Sequence, residues 1–144
     1  MAAPKFFKAE FDRLAINEAI GHPHGELAYG YLRVSASYQA DENQTGLPRQ
    51  IKHIHEAALK NGLKIPWELI FADDDSGFEF ADRPELSRLR QEYRSRERRA
   101  NVVVIEHLDR LSRNADWHQG YLLDEMKKNG IRPIFWKPFA SRVE

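Results

Sequence analysis

The sequence predicts an α/β fold, a three-layer sandwich with a mostly parallel central sheet of four to five strands. Short apolar segments rich in β-branched and aromatic residues alternate along the chain with longer segments of helical periodicity. The continuous apolar run from Val102 to Ile105 indicates a strand that is buried on both faces, as in parallel sheets. With 144 residues, the chain is long enough to form one domain with a substantial core.

The first half of the chain holds two predicted helices and two predicted strands. In order, the elements are a helix (4–20), a strand (27–34), a polar loop (36–46), a helix (48–61) and a strand (67–72). Phe7, Phe11 and Leu14 give the first helix its apolar stripe. Pro48 suits the start of the second helix, and Gly62 suits its end.

The second half continues the alternation. In order, we expect a polar, mobile loop (73–80), a helix (83–99), a strand (101–106), a helix (116–128) and a strand (131–136). Leu86, Leu89 and Tyr93 form the buried stripe of the helix that opens at Arg83. Gly130, which follows Asn129, suits the end of the last helix.

Composition limits the classes of function. The 22 basic and 22 acidic side chains balance to a net charge of zero, so any affinity for nucleic acid must come from local patches. The absence of cysteine excludes disulfides and thiol chemistry. The start of the chain lacks the apolar core of a signal peptide, and no apolar run is long enough to cross a bilayer. We therefore expect a cytoplasmic protein without a membrane partner.

Two polar segments follow apolar strands far apart in the sequence. Arg33 and Ser35 share one face at the end of the first strand. Arg110 and Arg113 share one face of a turn that follows the third strand, and Asp109 precedes them. The carboxyl ends of parallel strands meet at one edge of the sheet, where open α/β sheets place their ligands. The expected result is a hydroxyl surrounded by guanidinium groups, which suits attack on a phosphodiester.

The sequence resembles the catalytic domain of the serine recombinases, the resolvase/invertase family. This family includes large serine integrases and transposases. The resemblance covers residues 27–137 and rests on four ordered blocks. These are Tyr31-Leu32-Arg33-Val34-Ser35, Gln50, Asp75-Ser76-Gly77 with Arg83-Pro84-Glu85-Leu86, and Leu108-Asp109-Arg110-Leu111-Ser112-Arg113-Asn114. It implies a resolvase-like catalytic domain at residues 27–144, preceded by an N-terminal extension at residues 1–26.

The resemblance also implies a reaction. Ser35 would be the nucleophile that attacks a DNA phosphate, releases a 3′-hydroxyl and stays joined to the 5′-phosphate. The residues that match the family's catalytic arginines are Arg33, Arg83, Arg110 and Arg113. Asp109 and Gln50 match its supporting polar residues. The family needs no metal or cofactor, and its members act on double-stranded DNA as homodimers that join into a synaptic homotetramer. The helix that mediates dimerisation would lie beyond residue 144.

The residue types agree with that chemistry. Phosphoryl transfer spreads negative charge over the nonbridging oxygens, which fixed cations stabilise. Arginine suits this role because its planar fork pairs with two oxygens and stays charged. Serine normally needs an adjacent base, and no histidine is placed by the sequence to serve as one. The general base and the general acid are therefore unassigned. Arg83 would reach the site from a third segment, which follows Asp75-Ser76-Gly77 in the sequence.

Other interpretations stay open from the sequence alone. Arg96, Arg98 and Arg99 either contact the DNA backbone or belong to a solvated face that Glu85, Glu92 and Glu97 balance. Asp73, Asp74 and Asp75 could hold Mg²⁺. The simpler interpretation is that Asp75-Ser76-Gly77 shapes a loop that carries Arg83 toward the site. The chain could also be a degenerate or isolated recombinase-like domain that binds DNA or a protein without cutting. A nucleotide-binding α/β module is a further alternative, although the first strand–helix turn lacks a Gly-rich phosphate loop.

Overall fold

The computed structural model describes residues 19–34, 47–74, 83–107 and 118–137. The strands are β1 (Ala19–Gly21), β2 (Glu26–Leu27), β3 (Tyr29–Val34), β4 (Leu63–Pro66), β5 (Ile70–Asp74), β6 (Val102–Ile105) and β7 (Arg132–Phe135). The helices are α1 (Leu47–Lys60), α2 (Pro84–Arg94) and α3 (His118–Lys128), and a short 3-10 helix spans Trp67–Leu69.

A four-stranded parallel sheet in the order β5-β3-β6-β7 forms the centre of the fold. Strand side chains alternate between two cores. Leu32 packs with α1 residues on one face, whereas Tyr31 packs with α2 and α3 residues on the other. All four residues of β6 are buried, as its continuous apolar run predicts. The predicted three-layer α/β sandwich with a mostly parallel sheet is therefore confirmed.

An Asn-Gly pair follows the last residue of both α1 and α3. Asn61, just after α1, donates from its side-chain amide to the Ala57 carbonyl at 2.8 Å, and Gly62 follows with a φ of 67°. Asn129, just after α3, donates to the Glu125 carbonyl at 2.8 Å, and Gly130 follows with a φ of 74°. Both ends fall where the Asn-Gly pairs predict them, because glycine adopts the left-handed conformation without steric cost.

A second, three-stranded sheet in the order β1-β4-β2 was not predicted. The predicted helix over residues 4–20 is wrong at Ala19 and Ile20, which lie in β1, and its residues 4–18 lie outside the described residues. Tertiary contacts outweigh the helical pattern there. Ile20 is buried in the core on the α1 side, and the Gly21 N–H donates to Nδ1 of His55 at 2.9 Å.

Three other predicted boundaries change. The predicted strand over residues 67–72 begins only at Ile70, because β4 pairs within the small sheet and the chain crosses to the large sheet through the 3-10 turn. The helix predicted over 83–99 ends at Arg94, since no apolar residue continues its stripe beyond Tyr93. Asp73 was predicted in a loop but lies in β5.

No helix in the described parts of the chain is both long enough and apolar enough to span a bilayer.

The packing of β1 against β4 can be tested by substitution of Gly21. Its φ is 92°, and a Cβ there would lie 2.3 Å from the Leu63 carbonyl oxygen. At Gly62, φ is also positive, but an added Cβ would meet nothing within 4 Å. We expect Gly62→Ala to lower the free energy of unfolding by about 1 kcal/mol, and Gly21→Ala by roughly 3 kcal/mol, in urea titrations. Equal losses in the two variants would show that β1 is not packed as described.

Candidate active site at the carboxyl edge of the sheet

The carboxyl end of β3 projects beyond one of its two neighbours. On one side β3 stays paired with β5 to the edge, so that Arg33 lies opposite Asp73. On the other side β6 ends at Ile105, which lies opposite Tyr31. In the described pairings, the last part of β3 therefore has a strand neighbour only on the β5 side.

Gln50 of α1 replaces the missing strand neighbour. Its Oε1 accepts the N–H of Arg33 at 3.1 Å, and its Nε2 donates to the carbonyl of the same residue at 2.7 Å. Both groups are buried, and a buried backbone N–H and C=O need partners. The side-chain amide supplies both at once, as a β-strand would. The predicted supporting residue Gln50 therefore fixes the backbone two residues before Ser35.

Tyr31 joins two other polar side chains on the opposite face of the sheet. Its hydroxyl accepts from Nη2 of Arg83 at 2.9 Å and donates to Oδ2 of Asp73 at 2.8 Å. The Arg83 guanidinium also lies over the Tyr31 ring, with its Cζ 5.5 Å from the ring centroid. Arg83 is therefore held against β3, on the face to which the Arg33 side chain also belongs by strand alternation.

The phenol of Tyr31 stays protonated in this network. Burial is the largest cause that raises its pKa far above the ordinary value, and the Asp73 carboxylate adds to the effect. The Arg83 charge opposes the shift without cancelling it. A protonated hydroxyl can donate to the carboxylate and accept from the guanidinium at the same time. The Tyr31 hydroxyl thus lies between Arg83 and Asp73 and forms a hydrogen bond with each of them.

Asp73 also sets the start of α2. Its Oδ1 accepts the N–H of Glu85 at 2.9 Å, and its Oδ2 accepts the N–H of Leu86 at 2.8 Å. These are first-turn amides that lack intrahelical partners, and Arg83, the N-cap residue, makes no side-chain capping bond. A strand residue therefore caps the helix that begins directly after Arg83.

The result is an edge where two buried guanidinium groups lie beside one buried carboxylate. Arg33 is 2% exposed and Arg83 is 3% exposed, so both guanidinium groups sit in a medium that screens charge less than water does. Guanidinium groups pair well with anions that carry several oxygens, and phosphate is such an anion.

Four of the predicted site residues lie outside the described residues: Ser35, Asp109, Arg110 and Arg113. Their roles remain predictions. Of the predicted catalytic residues, the structure describes Arg33, Gln50 and Arg83, and it brings these three to the carboxyl end of β3.

Comparison with known families agrees with this geometry. The family model "Resolvase, N terminal domain" matches residues 28–138, which is most of the chain. The chain belongs to the resolvase N-terminal domain family. The resemblance to the serine recombinases, predicted from four blocks of residues, is thereby confirmed. A search of curated protein sequences finds no significant match.

Solved structures similar to this resolvase domain include serine recombinases. The C-terminal catalytic domain of ISC1926 TnpA, an IS607-like serine recombinase, is 27% identical with a TM-score of 0.61; the match covers 81% of this chain and 72% of that one. The N-terminal catalytic domain of TP901-1 integrase is 27% identical with a TM-score of 0.64, covering 77% and 78%. A serine recombinase from Sulfolobus solfataricus shares the fold at 21% identity and a TM-score of 0.57, covering 82% and 72%.

The contacts of Tyr31 and of the Asp73 carboxylate were not predicted from the sequence. Tyr31 carries a usable signal, because it shares a strand face with Arg33 and a polar hydroxyl on a buried face needs partners. Asp73 was treated as part of an acidic loop with a possible metal. Its oxygens instead accept two amides and a phenol, and the described residues contain no group of three or more potential metal ligands.

The basic segment after α2 is largely paired within the resolvase domain. The Arg99 guanidinium forms a two-bond fork with Glu92, at 2.9 and 3.1 Å. Nε of Arg98 donates to Oδ1 of Asn101 at 2.7 Å. Arg96 is exposed. These pairs favour the interpretation as a balanced surface, and contact with the DNA backbone stays a prediction.

Removal of one hydroxyl tests the Tyr31 network. Tyr31→Phe leaves the Asp73 carboxylate and the Arg83 guanidinium without their shared partner, so we expect a loss of about 1–3 kcal/mol in urea unfolding. Tyr121→Phe is the matched control. The Tyr121 hydroxyl also accepts from an arginine, Arg90 at 3.3 Å, but the residue is 47% exposed. We expect that variant to lose less than about 0.5 kcal/mol. Similar losses in the two variants would contradict a buried network.

Proposed function

We propose that this chain is the catalytic domain of a site-specific DNA recombinase, in which Ser35 cuts and rejoins DNA through a 5′-phosphoserine intermediate. The observation that supports the proposal best is the convergence of Arg33, Gln50 and Arg83 on the end of β3. Ser35 follows two residues later in the sequence. The similar catalytic domains of ISC1926 TnpA and TP901-1 integrase support the same reaction class.

In the proposed reaction, the Ser35 oxygen forms a bond to phosphorus while the bond from phosphorus to the 3′ oxygen breaks. The serine hydroxyl loses its proton and the departing 3′ oxygen gains one. Negative charge grows on the nonbridging oxygens, and Arg33 and Arg83 stabilise it together with Arg110 and Arg113. Because the phosphoserine ester conserves the energy of the broken bond, a 3′-hydroxyl can rejoin the strand without ATP.

The remaining assignments belong to the same proposal. Double-stranded DNA is the substrate, and a homodimer and a synaptic homotetramer are the working assemblies. The catalytic domain spans residues 27–144 and residues 1–26 form an extension, although residues 19–21 already pair with β4. Asp109 orients Arg110 or Ser35. The cytoplasm is the compartment where the chain meets its DNA.

Covalent capture of DNA tests the nucleophile. Because the target site is not known, sheared genomic DNA from the protein's own source is the substrate, and adducts are counted after denaturation. We expect an adduct with the wild type, and at least about a hundredfold less with Ser35→Ala. A variant that should leave adduct formation intact is Asp124→Asn, which removes only an exposed ion pair with Lys128. No adduct with the wild type, or equal adduct with Ser35→Ala, would contradict the proposal and favour a binding domain that does not cut.

The salt dependence of DNA binding tests the proposed backbone contacts. Replacing Arg96, Arg98 and Arg99 by Gln should reduce the slope of log affinity against log salt by about one for each phosphate contact that is lost. Arg88→Gln is a control, since that exposed guanidinium is paired with Glu85 on α2. An unchanged slope in the triple variant would assign these arginines to the balanced surface.

A further inference from the structure

A buried carboxylate joins α1 to the end of β6, on the face of the sheet opposite Tyr31. Glu106 directly follows β6 and is 2% exposed. Its Oε2 accepts from Nε of Arg49 at 3.0 Å, and Nδ1 of His53 lies 2.6 Å from the same oxygen. The described residues contain no group of three or more His, Cys, Asp or Glu side chains that could hold a metal ion.

Glu106 is a costly residue to bury. Burying an ionised carboxylate costs several kcal/mol, and attraction to a partner only partly offsets that cost. Exchange of a buried ion pair for apolar side chains is often neutral or stabilising. What the contacts of Glu106 do fix is the position of Arg49 and His53 of α1 relative to the end of β6.

The histidine of the cluster is itself fixed by its neighbours. The His53 ring stacks on Trp136 with ring centroids 3.5 Å apart and an angle of 5° between the planes. Nε1 of Trp136 donates to Oε1 of Glu56 at 3.0 Å, one turn further along α1. Trp136 directly follows β7, so the ends of β6 and β7 both contact the same side of α1.

The first turn of α1 thus holds two strand ends at once. Gln50 binds the backbone of Arg33 at the end of β3, and the adjacent Arg49 binds Glu106 at the end of β6. The segment that carries Asp109, Arg110 and Arg113 begins just after Glu106 in the sequence. The backbone ladder between β3 and β6 ends at the pair of Tyr31 and Ile105. Beyond that pair, α1 contacts both strand ends, and each of the two predicted catalytic segments follows one of these ends in the sequence.

We propose that Glu106 is a positioning residue of the recombinase reaction. With Arg49 and His53, it anchors α1 to the end of β6 and so holds the end of β3, through Gln50, at a fixed position relative to the end of β6. Ser35 follows the end of β3 in the sequence, and Arg110 and Arg113 follow the end of β6. The effect on catalysis rests on the proposed function, because it assumes that these segments act on one phosphate. A misplacement of about 1 Å between catalytic groups can cost about a hundredfold in rate.

The variant that tests this role is Glu106→Gln, which keeps the shape of the side chain and removes its charge. Glu125→Gln is the matched control. Glu125 also accepts from arginines, a fork from Arg90 with both distances at 2.9 Å and a contact from Arg94, but it links α2 to α3 away from the active-site edge. Urea unfolding of the two variants provides the comparison of stability.

The first readout needs no DNA. The Arg33 N–H is bonded to Gln50, so its hydrogen exchange reports how firmly α1 holds β3. We expect about tenfold faster exchange at Arg33 in Glu106→Gln and no change in Glu125→Gln, because local opening raises exchange only where it occurs. Arg49→Gln should act in the same direction. It replaces Glu106→Gln if that variant does not fold.

The second readout is the first-order rate of adduct formation at saturating protein. We expect Glu106→Gln to lower it about a hundredfold with DNA affinity unchanged, and Glu125→Gln to leave it unchanged. The double variant Arg49→Gln/Glu106→Gln should be no slower than the slower single variant, because both remove the same link. Equal exchange at Arg33 in Glu106→Gln and wild type, or equal rate losses in Glu106→Gln and Glu125→Gln, would overturn the proposal.

The two readouts separate two possible failures. A wild type that forms no adduct contradicts the proposed function, while the exchange measurement still decides whether Glu106 anchors α1. A wild type that forms the adduct, with Glu106→Gln as fast as wild type, leaves the function standing and rejects the positioning role.

Discussion

The contacts of the Asp73 carboxylate are the interaction on which the described active-site edge depends. One side chain at the end of β5 accepts two amides from the first turn of α2 and the hydroxyl of Tyr31 on β3. It therefore fixes where α2 begins, and Arg83 directly precedes that helix. Without the carboxylate, the first-turn amides and the buried phenol would each lose a partner, and Arg83 would lose its defined position.

A second constraint acts from the other side of the sheet. β3 extends past the end of β6. On that side, where the described pairings give Arg33 no strand neighbour, Gln50 bonds to the backbone of Arg33. Helices on both faces thus hold the end of β3: α1 holds its backbone and α2 holds the side chains beside it. A charge-rich edge that is fixed before substrate arrives can stabilise a transition state without reorganising, which is how fixed dipoles and cations catalyse.

Local patterns predicted much of this fold. The parallel sheet followed from strands that alternate with helices, and Asn-Gly pairs marked the ends of α1 and α3. Elements that depend on distant partners were not predictable in this way. β1 forms because Ile20 packs in the core and Gly21 bonds to His55, 34 residues away, and no local pattern records those contacts. The helical spacing of Phe7, Phe11 and Leu14 favoured a helix through residue 20 instead.

In the site, too, some residues were predictable from local sequence, whereas others depend on distant partners. Arg33, Gln50 and Arg83 were found from their resemblance to family motifs, and the structure brings them to one place. The role of Asp73 was missed, because its partners Tyr31 and Leu86 are 42 and 13 residues away. A strand-terminal carboxylate that caps a later helix has the same local sequence as an acidic loop. Arg83, which was predicted to reach the site from a third segment, is buried against Tyr31.

The polarity of the DNA break is the decisive measurement for the proposed 5′-phosphoserine intermediate. DNA from the denatured adduct is treated with a polymerase that extends only free 3′-hydroxyls, and the peptide that remains on the DNA is identified by mass spectrometry. The account predicts extendable 3′ ends and a 5′-phosphate joined to the peptide that contains Ser35. A peptide joined to the 3′ end, or a 5′ linkage through any other residue, would contradict it.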